Sequence, residues 1–307
     1  MSTRRRARAS FRFALLAAGL CLSGTAYAAT TGAADQNAGV TIASAGKSQK
    51  VAYGRQVKLA GRVASGGGRN VRLEQAPGDQ GWRPVAQTTS AGDGSYAFAV
   101  RAERSGSYRA VSEGGTSAPE KVTVVARLAG KATRHVRRGS TVRVRGSVRP
   151  ARAGRTVRLQ RRSGSGWKTV ARARTGSGGS FRATWHPTSN GAFRLRVRFG
   201  GDKLNGAAGH TLRKRVNVYR PALASWYGPG LYGGHLACGG TLTASKLGVA
   251  NKSLPCGTKV TLRYHGRSVT VPVIDRGPYS GAREFDLTAA TKHKLGFGST
   301  GTVWTTR

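Results

Sequence analysis

The sequence predicts an all-β protein whose larger part is a tandem pair of immunoglobulin-like β-sandwiches. Apolar and polar residues alternate with a period of two in many short segments, such as VRVR at 142–145 and VRLQ at 157–160. This period is typical of strands that bury one face. The segments recur at short intervals and are separated by Gly, Ser and Asp, which is the pattern expected of a small two-sheet sandwich.

An internal repeat relates the two predicted sandwiches. The clearest match joins WRPVA at 82–86 to WKTVA at 167–171, a shift of 85 residues. We therefore place the first copy at 40–126 and the second copy at 127–220. Neither copy contains Cys, so no disulfide pins the sheets together. The Trp that begins each matched segment is expected to help fill the core instead.

The first 28 residues have the pattern of a secretory signal peptide. Five arginines precede an apolar run at 13–22 that is too short to span a bilayer. Small residues follow at 26–28 (AYA), as a cleavage site requires. Residues 29–39 are small and polar and are expected to form a flexible leader. No later apolar run is long enough to cross a membrane, so the mature chain is predicted to be secreted or cell wall-associated.

The charge balance indicates an anionic partner. The chain has 52 Lys+Arg against 11 Asp+Glu, a formal net charge of +41. Such an excess attracts polyanions, and nucleic acid is a common one. Export argues against nucleic acid and favours phosphate-rich wall polymers and peptidoglycan carboxylates. A high-GC genome that prefers Arg to Lys is the alternative explanation.

The second copy is much more basic than the first, and we interpret it as a spacer that faces anionic wall polymers. A merely solvated surface is the alternative. The arginines that we assign to outward positions are Arg137, Arg138, Arg143, Arg145, Arg149, Arg152, Arg155, Arg158, Arg161 and Arg162.

The composition changes after Pro221, and residues 221–307 are predicted to form a third domain. Its only carboxylates are Asp275, Glu284 and Asp286, and all three fall within 13 residues. Scattered acids would be expected as counter-charges in so basic a region, so this grouping indicates a site. The alternative is that Asp275 caps a turn and Asp286 caps a helix, with Glu284 on the surface.

Local signals place secondary structure around these acids. An apolar strand at 269–274 leads directly into Asp275, and a hairpin turn is predicted at 264–267. A short helix is expected after Asp286, with Thr288 or Asp286 as its cap and Gly296 as its stop.

Two cysteines, Cys238 and Cys256, remain once the signal peptide is removed. An even number of cysteines in an exported protein indicates one disulfide. A structural zinc site requires four closely spaced ligands, and no Cys-x-x-Cys motif accompanies the nearby His235. The sequence therefore predicts neither a metal nor a cofactor.

Five motifs stand in order along the third domain: ASWYG at 224–228, LPCGT at 254–258, VIDRGPY at 273–279, REFDLT at 283–288 and LGFGSTGTV at 295–303. Together they resemble the double-psi β-barrel of the rare lipoprotein A (RlpA) family, the septal lytic transglycosylases of bacterial walls. The same barrel resembles the first domain of expansins. The fold class is then all-β, with two tandem immunoglobulin-like β-sandwiches followed by a double-psi β-barrel.

The resemblance implies a lytic transglycosylase that acts on peptidoglycan glycan strands with Asp275 as its catalytic acid. Cleavage of a glycosidic bond requires a proton on a poor leaving oxygen. In this family the sugar's own 6-hydroxyl is the nucleophile, and the product ends in a 1,6-anhydro ring. One carboxyl group can act first as acid and then as base. Substrate contacts are expected from Tyr227, Tyr232, Arg276 and Tyr279.

Asn251 departs from the family pattern, because the lytic family has a His at this position. Asn donates and accepts hydrogen bonds but does not exchange a proton near neutral pH. We keep Asn251 as a candidate helper in the site. Asp286 becomes a stronger candidate site residue, since the resemblance to expansins implies that their essential carboxylate corresponds to Asp286. The alternative function is therefore an expansin-like protein that binds and loosens glycan without cutting it.

Overall fold

Strands make up almost all of the regular structure in residues 39–44, 49–78 and 80–307, which the computed structural model describes. The all-β prediction is confirmed, with a single short helix in this part of the chain. The predicted signal peptide and all of the leader except Gly39 lie outside the described residues. No described helix is long and apolar enough to cross a membrane.

The first module, residues 40–126, is built from two sheets around one core. One sheet has the order β1-β3-β6, and the other has the order β2-β9-β7-β4-β5 with β8 beside β7. Alternate residues such as Val57 and Leu59 point inward and are almost fully buried. The strands are β1 (Val40–Ser44), β2 (Gln49–Ala52), β3 (Gln56–Val63), β4 (Asn70–Pro77), β5 (Arg83–Thr89), β6 (Ser95–Arg101), β7 (Gly106–Ser112), β8 (Gly115–Thr116) and β9 (Glu120–Val125).

The second module, residues 127–220, repeats this plan with sheets ordered β10-β12-β15 and β14-β13-β17-β18. Val142 and Val144 occupy the core positions of Val57 and Leu59 in the first module. The immunoglobulin-like assignment of both modules stays a prediction. The strands are β10 (Arg127–Ala132), β11 (His135–Arg137), β12 (Val142–Arg149), β13 (Thr156–Ser163), β14 (Gly166–Arg174), β15 (Ser180–Trp185), β16 (Gly191–Phe193), β17 (Leu195–Phe199) and β18 (Ala208–Thr211).

The expectation that Trp82 and Trp167 fill the cores is wrong. The β13–β14 register shifts between Leu159 and Gln160, and the first module has the same irregularity between β4 and β5. A bulge inserts one residue into one strand, so the side chains before it face opposite to the direction that continued alternation would give. Both tryptophans consequently stack against arginines, with Arg196 4.4 Å above the Trp167 ring and Arg109 above the ring of Trp82.

A loop of the second module holds it against the first. Asn205 is fully buried and donates from Nδ2 to the carbonyl oxygen of Glu103 at 3.1 Å. Gly206 bonds to the backbone of β9. Arg155 supports this loop through an ion pair with Asp202 at 2.9 Å and a hydrogen bond to Asn205. We call this loop and Arg155 the clasp. Arg155 is therefore buried, and its predicted outward position is wrong.

The third module begins inside a strand. Strand β19 (Val216–Tyr227) runs through Pro221 without a break, although the sequence indicated a boundary there. Its first residues pair with β11 and β16 of the second module. Its later residues pair with strands of the third module. One strand thus belongs to both modules.

A closed barrel of six strands forms the third module, in the order β19-β23-β20-β22-β21-β24 with β24 returning to β19. Val260, Val271 and Leu287 are among the buried residues that fill it. The predicted hairpin and helix are both present, and Thr288 caps the helix while Gly296 ends it with φ of 68°. The remaining elements are β20 (Val249–Ala250), β21 (Lys259–Tyr264), β22 (Arg267–Asp275), β23 (Phe285–Thr288), α1 (Ala289–Leu295) and β24 (Gly301–Thr305).

Candidate active site

Three adjacent barrel strands bring Asp275 and Asp286 together. Ala250 on β20 pairs with Asp275 on β22 and with Asp286 on β23. Residues that pair across neighbouring strands present their side chains on the same face. Ala250 has only a methyl group, so no bulky side chain separates the two carboxylates. The site therefore lies on the outer face of the barrel, over β20.

An irregularity in β22 orients Asp275. Val271 and Val273 point into the barrel, and regular alternation would turn Asp275 inward as well. The β20–β22 register shifts before Ala250, so Asp275 rather than Ile274 becomes the partner of Ala250. Bulges next to active sites commonly redirect a side chain in this way. The alternation seen in the sequence does not reveal this shift.

Backbone donors hold the Asp275 carboxylate in place. Its Oδ1 accepts from the N–H of Ala237 at 3.0 Å and from the N–H of Arg276 at 2.9 Å. Ala237 lies in the long loop between β19 and β20, so this bond also attaches the loop to the site. Asp275 is thus fixed in position at the edge of a half-buried surface.

Asp286 has a different partner. Its Oδ1 accepts a hydrogen bond from the Ser225 hydroxyl, and these two residues pair across β19 and β23. Ser225 is itself buried. Ser225 was not among the predicted site residues, although it stands in the ASWYG motif directly before Trp226 and Tyr227. Its position two residues before Tyr227, on the same strand face, was the available signal.

Tyr227 lies near both carboxylates. Its hydroxyl is buried and completes no hydrogen bond of normal geometry with the described residues. Burial raises the pKa of Tyr227 above its ordinary value, and the nearby charges of Asp275 and Asp286 raise it further. The phenol therefore stays protonated at neutral pH, as a donor next to both acids. Its ring packs on Leu236 and other apolar side chains beneath the loop.

Asn251 uses its side chain to hold the backbone. Its Oδ1 accepts from the N–H groups of Ser253 and Leu254 at 3.1 and 2.8 Å. Its Nδ2 donates to the carbonyl oxygen of Glu284 at 2.9 Å. These bonds join the loop after β20 to the chain just before Asp286. All three hydrogen bonds of the Asn251 side chain thus hold backbone groups in place.

The other candidate residues are the half-buried Arg276 and two exposed tyrosines. The Arg276 guanidinium donates to the carbonyl oxygens of Asn251 and Leu254 and to Cys256 Sγ, so it braces the same loop. Tyr232 and Tyr279 are exposed, with 43% and 79% of their surface accessible. Tyr232 lies on the loop before β20 and Tyr279 lies on the loop between Asp275 and Asp286, and both rings are exposed to a ligand.

The third carboxylate of the stretch does not join the site. Glu284 forms a bidentate ion pair with Arg220. Arg220 donates from Nη1 to Oε1 at 2.8 Å and from Nη2 to Oε2 at 2.5 Å. This pair raises the pKa of Arg220. Glu284 therefore connects β19 to the chain before β23. No group of three or more metal-binding side chains occurs among residues that the structure describes.

The predicted disulfide between Cys238 and Cys256 is present. It joins the loop that carries Ala237 to the loop that Asn251 and Arg276 brace. The bridge closes 18 residues of chain, and a loop of this length is stabilised by about 3 kcal/mol.

Removing the bridge is therefore expected to weaken the barrel. The Cys238→Ser, Cys256→Ser double variant should lose about 3 kcal/mol of unfolding free energy, measured by urea denaturation with tryptophan fluorescence. Adding a reductant to the unaltered protein should produce the same loss, and it should not affect the variant further. Equal stability of the variant and the oxidised protein would contradict this expectation.

Comparison with known proteins shows which proteins the barrel is similar to. A family model described as lytic transglycolase matches residues 221–305. A probable endolytic peptidoglycan transglycosylase RlpA of Synechocystis sp. is 38% identical over 122 residues, covering 36% of this chain and 38% of that protein. The endolytic peptidoglycan transglycosylase RlpA of Pseudomonas aeruginosa is 42% identical over 82 residues, 26% of this chain and 24% of that protein. The chain thus spans well under half the length of these curated relatives.

Among solved structures, the Streptomyces papain inhibitor is 27% identical, with a TM-score of 0.24, and the match covers 29% of this chain and 94% of that one. The family match, the curated relatives and the closed barrel agree on one segment. Residues 221–305 are an RlpA-like double-psi β-barrel.

Proposed function

We propose that this RlpA-like barrel cleaves the glycan strands of peptidoglycan as a lytic transglycosylase, in a protein that is exported to the bacterial cell wall. The observation that carries the proposal is the placement of Asp275 and Asp286 on one barrel face, both paired with Ala250. Matching relatives are named as endolytic peptidoglycan transglycosylases, which supports the substrate class.

Asp275 supplies the proton in the proposed reaction. Its carboxylic acid protonates the glycosidic oxygen as the bond between that oxygen and C1 of the muramyl sugar breaks. The 6-hydroxyl of the same sugar then bonds to C1, and its proton passes to the Asp275 carboxylate. No water is consumed, and Asp275 returns to its starting state. Its fixed position, set by Ala237 and Arg276, suits this double role.

Asp286 and Tyr227 assist without exchanging the proton. The negative charge of Asp286, oriented by Ser225, stabilises positive charge that develops on the sugar ring. The protonated Tyr227 hydroxyl donates a hydrogen bond to the sugar or to the Asp275 carboxylate. Tyr232 and Tyr279 present exposed rings on which further sugars stack. Asn251 positions the strands that carry both acids.

A Tyr227→Phe variant separates this role from a structural one. Removing the hydroxyl takes away one donor beside Asp275, so the unfolding free energy should change by only about 1 kcal/mol while activity falls by about 10-fold or more. Tyrosine titrates near 10 in the unfolded chain, and its raised pKa in the folded protein means that stability falls as pH rises above that value. The variant should therefore lose less stability in alkali, which thermal melts at several pH values would measure.

The product decides the reaction class. Purified peptidoglycan should be incubated with the mature protein, and the soluble fragments should be analysed by mass spectrometry. Fragments that end in 1,6-anhydro sugars support transglycosylation. Fragments with reducing ends, heavier by one water, would instead indicate hydrolysis and would refute the proposed mechanism.

A second candidate function is an expansin-like protein that binds and loosens glycan without cutting it. The observation that favours it is Asn251, because the described site contains no histidine at the family's position and the Asn251 amide is fully engaged. This function predicts sedimentation with cell walls, weakened by salt, and no soluble fragments at any enzyme concentration. Release of fragments by the unaltered protein and not by the Asp275→Asn variant would exclude it.

The basic second module supports retention at the wall. We propose that it binds anionic wall polymers and so keeps the barrel near its substrate. Export through the predicted signal peptide belongs to the same proposal. Detection of the chain in the wall fraction after processing near Ala28 would test it.

A further inference from the structure

Two rows of like charge cross the second module, one on each sheet. On the β14-β13-β17 sheet, Arg158 pairs with both Arg172 and Arg198. On the β10-β12-β15 sheet, Arg145 pairs with both Lys131 and Arg182. All six side chains are exposed. We call these the Arg158 row and the Arg145 row.

Electrostatic repulsion within each row destabilises the free protein. Directly opposed residues on neighbouring strands have Cβ atoms about 4.5–5.5 Å apart, and like charges in these positions repel. Residues 127–220 contain 25 Lys and Arg but one carboxylate, Asp202. Asp202 is already paired with Arg155 in the clasp. Within the described part of the chain, no carboxylate pairs with any of the six cations.

The first module shows that the fold does not require these charges. The strand positions equivalent to the Arg145 row hold Ala43, Ala60 and Ala97, paired in the same way. In place of the Arg158 row stands Arg72 between two uncharged residues, and Arg72 is itself paired with Glu74 at 3.0 Å. The repeat thus keeps the register and changes the charge.

The two rows lie on opposite outer surfaces. Both sheets contribute to one core, with Val144 from one sheet and Leu159 from the other. Stacked sheets are about 10 Å apart, so the rows face away from each other across the module. Arg158 also borders a groove of about 710 Å³ between the first and second modules, which Arg152 and Lys203 line as well. This groove extends the Arg158 row towards the clasp.

We propose that the second module has two binding faces for a phosphodiester-linked wall polymer and that it bridges two polymer strands. The partner class rests on the proposed function, which places the protein at the cell wall. Guanidinium groups bind phosphate through two parallel hydrogen bonds, and neighbouring strands repeat them every 4.8 Å or so. A linear polymer with one phosphate per unit can therefore lie along each row.

The same surface is poorly suited to nucleic acid. Proteins that hold single strands combine cations with open aromatic rings on which bases stack. Trp167 lies on the outer face of the β14-β13-β17-β18 sheet, which also carries the Arg158 row. Arg196 and Arg162 already stack on its ring, so the ring is not open to a base. The Arg145 row has alternating small and cationic neighbours and offers no ring. A surface with cations but no open aromatic rings is better suited to a phosphodiester polymer without bases than to nucleic acid.

The test compares variants that remove one row at a time from the mature full-length chain. One variant carries Arg158→Gln, Arg172→Gln and Arg198→Gln. The other carries Lys131→Ala, Arg145→Ala and Arg182→Ala, which copies the first module. A matched control removes three exposed charges outside the rows, through Arg134→Gln, Arg213→Gln and Lys214→Gln. Purified poly(glycerol phosphate) is the probe, with affinity from fluorescence anisotropy and clustering from light scattering.

If the second module bridges two polymer strands, removing one row should abolish clustering of the polymer but leave binding to it. The unaltered protein and the control should cluster the polymer, with a maximum at an intermediate protein-to-polymer ratio. Each single-row variant should still bind but should not cluster, and its slope of log affinity against log salt should fall by about 2–3. Each row variant should also melt at a higher temperature in low salt, because repulsion is removed.

Three results would overturn the proposal. Clustering by either single-row variant would show that one face suffices. An equal loss in the control would show that net charge alone binds the polymer. Tighter binding of single-stranded DNA with the same number of phosphates would identify nucleic acid as the ligand. Peptidoglycan cleavage does not enter these measurements, and an Asp275→Asn protein should bind the polymer normally, so failure here is separate from failure of the proposed enzyme activity.

Discussion

The Asp275→Asn variant is expected to release anhydro-muropeptides at least about 100-fold more slowly than the unaltered protein, since loss of a general acid typically costs 100- to 10,000-fold in rate. Asn keeps the shape and accepts the same bonds from Ala237 and Arg276, so the fold should survive. What is lost is the proton that the leaving oxygen needs. Release of fragments would be followed by mass spectrometry at matched protein concentrations.

Two carboxylates in the same stretch serve as controls. Asp286→Asn should show an intermediate loss, because Asp286 is assigned charge stabilisation and not proton transfer. Glu284→Gln should stay near full activity, since its side chain pairs with Arg220 away from the site. Equal activity of Asp275→Asn and the unaltered protein would remove Asp275 from the mechanism. A larger loss in Asp286→Asn than in Asp275→Asn would exchange their roles.

The Arg155→Met variant is expected to lose about 3 kcal/mol of unfolding free energy, because it leaves the acceptors at Asn205 and Pro150 without the donors of the buried guanidinium. The Arg155 side chain is 3% exposed and also donates to the Pro150 carbonyl oxygen at 2.8 Å. Met fills similar volume, so the loss reflects polar contacts. Since Asn205 also bonds the first module through Glu103, the clasp as a whole should loosen.

Calorimetry and limited proteolysis would measure this effect. The variant should melt earlier, and trypsin should cut sooner in the chain around the clasp. Arg152→Met is the matched control, because Arg152 is exposed on the same segment and its loss should change stability by less than about 0.5 kcal/mol. If both variants melted alike, the clasp would not be a source of stability.

Alternation in the sequence predicted the strands well and the direction of some side chains poorly. The period of two identifies which segments pair, but a bulge changes the face without changing the composition. This explains the wrong expectation for Trp82 and Trp167, and it also explains how Asp275 leaves the inward direction of Val273. Bulges depend on cross-strand pairing, which a single strand's sequence does not contain.

Arg155 was predictable from the sequence and was still misassigned. It has the same parity as Val157 and Leu159, which are fully buried, so alternation placed it inward. The abundance of arginine in this module obscured that signal. Asp202, the sole acid of the module, was a second signal, because a lone carboxylate in so basic a region is expected to be paired.

The candidate site was predicted in part. The ordered motifs identified Asp275 and Asp286, but Ser225 and Ala250 are evident only from strand pairing. The role of the Asn251 amide also depends on contacts with Glu284 and the following loop, which lie on different elements. Sequence motifs identify candidate site residues, and the pairing register of the strands determines which of them lie next to each other.

Strand β19 limits where the barrel can act. Its 12 residues span about 40 Å at 3.3 Å per residue, and hydrogen bonds to both modules leave no free linker between them. The barrel face that carries Asp275 and Asp286 therefore keeps a constant separation and orientation from the cationic rows. A barrel held on a flexible tether would sample every strand within reach. This one is expected to cut at a fixed offset from the polymer that anchors it, so the spacing of wall polymers would set the spacing of its cuts.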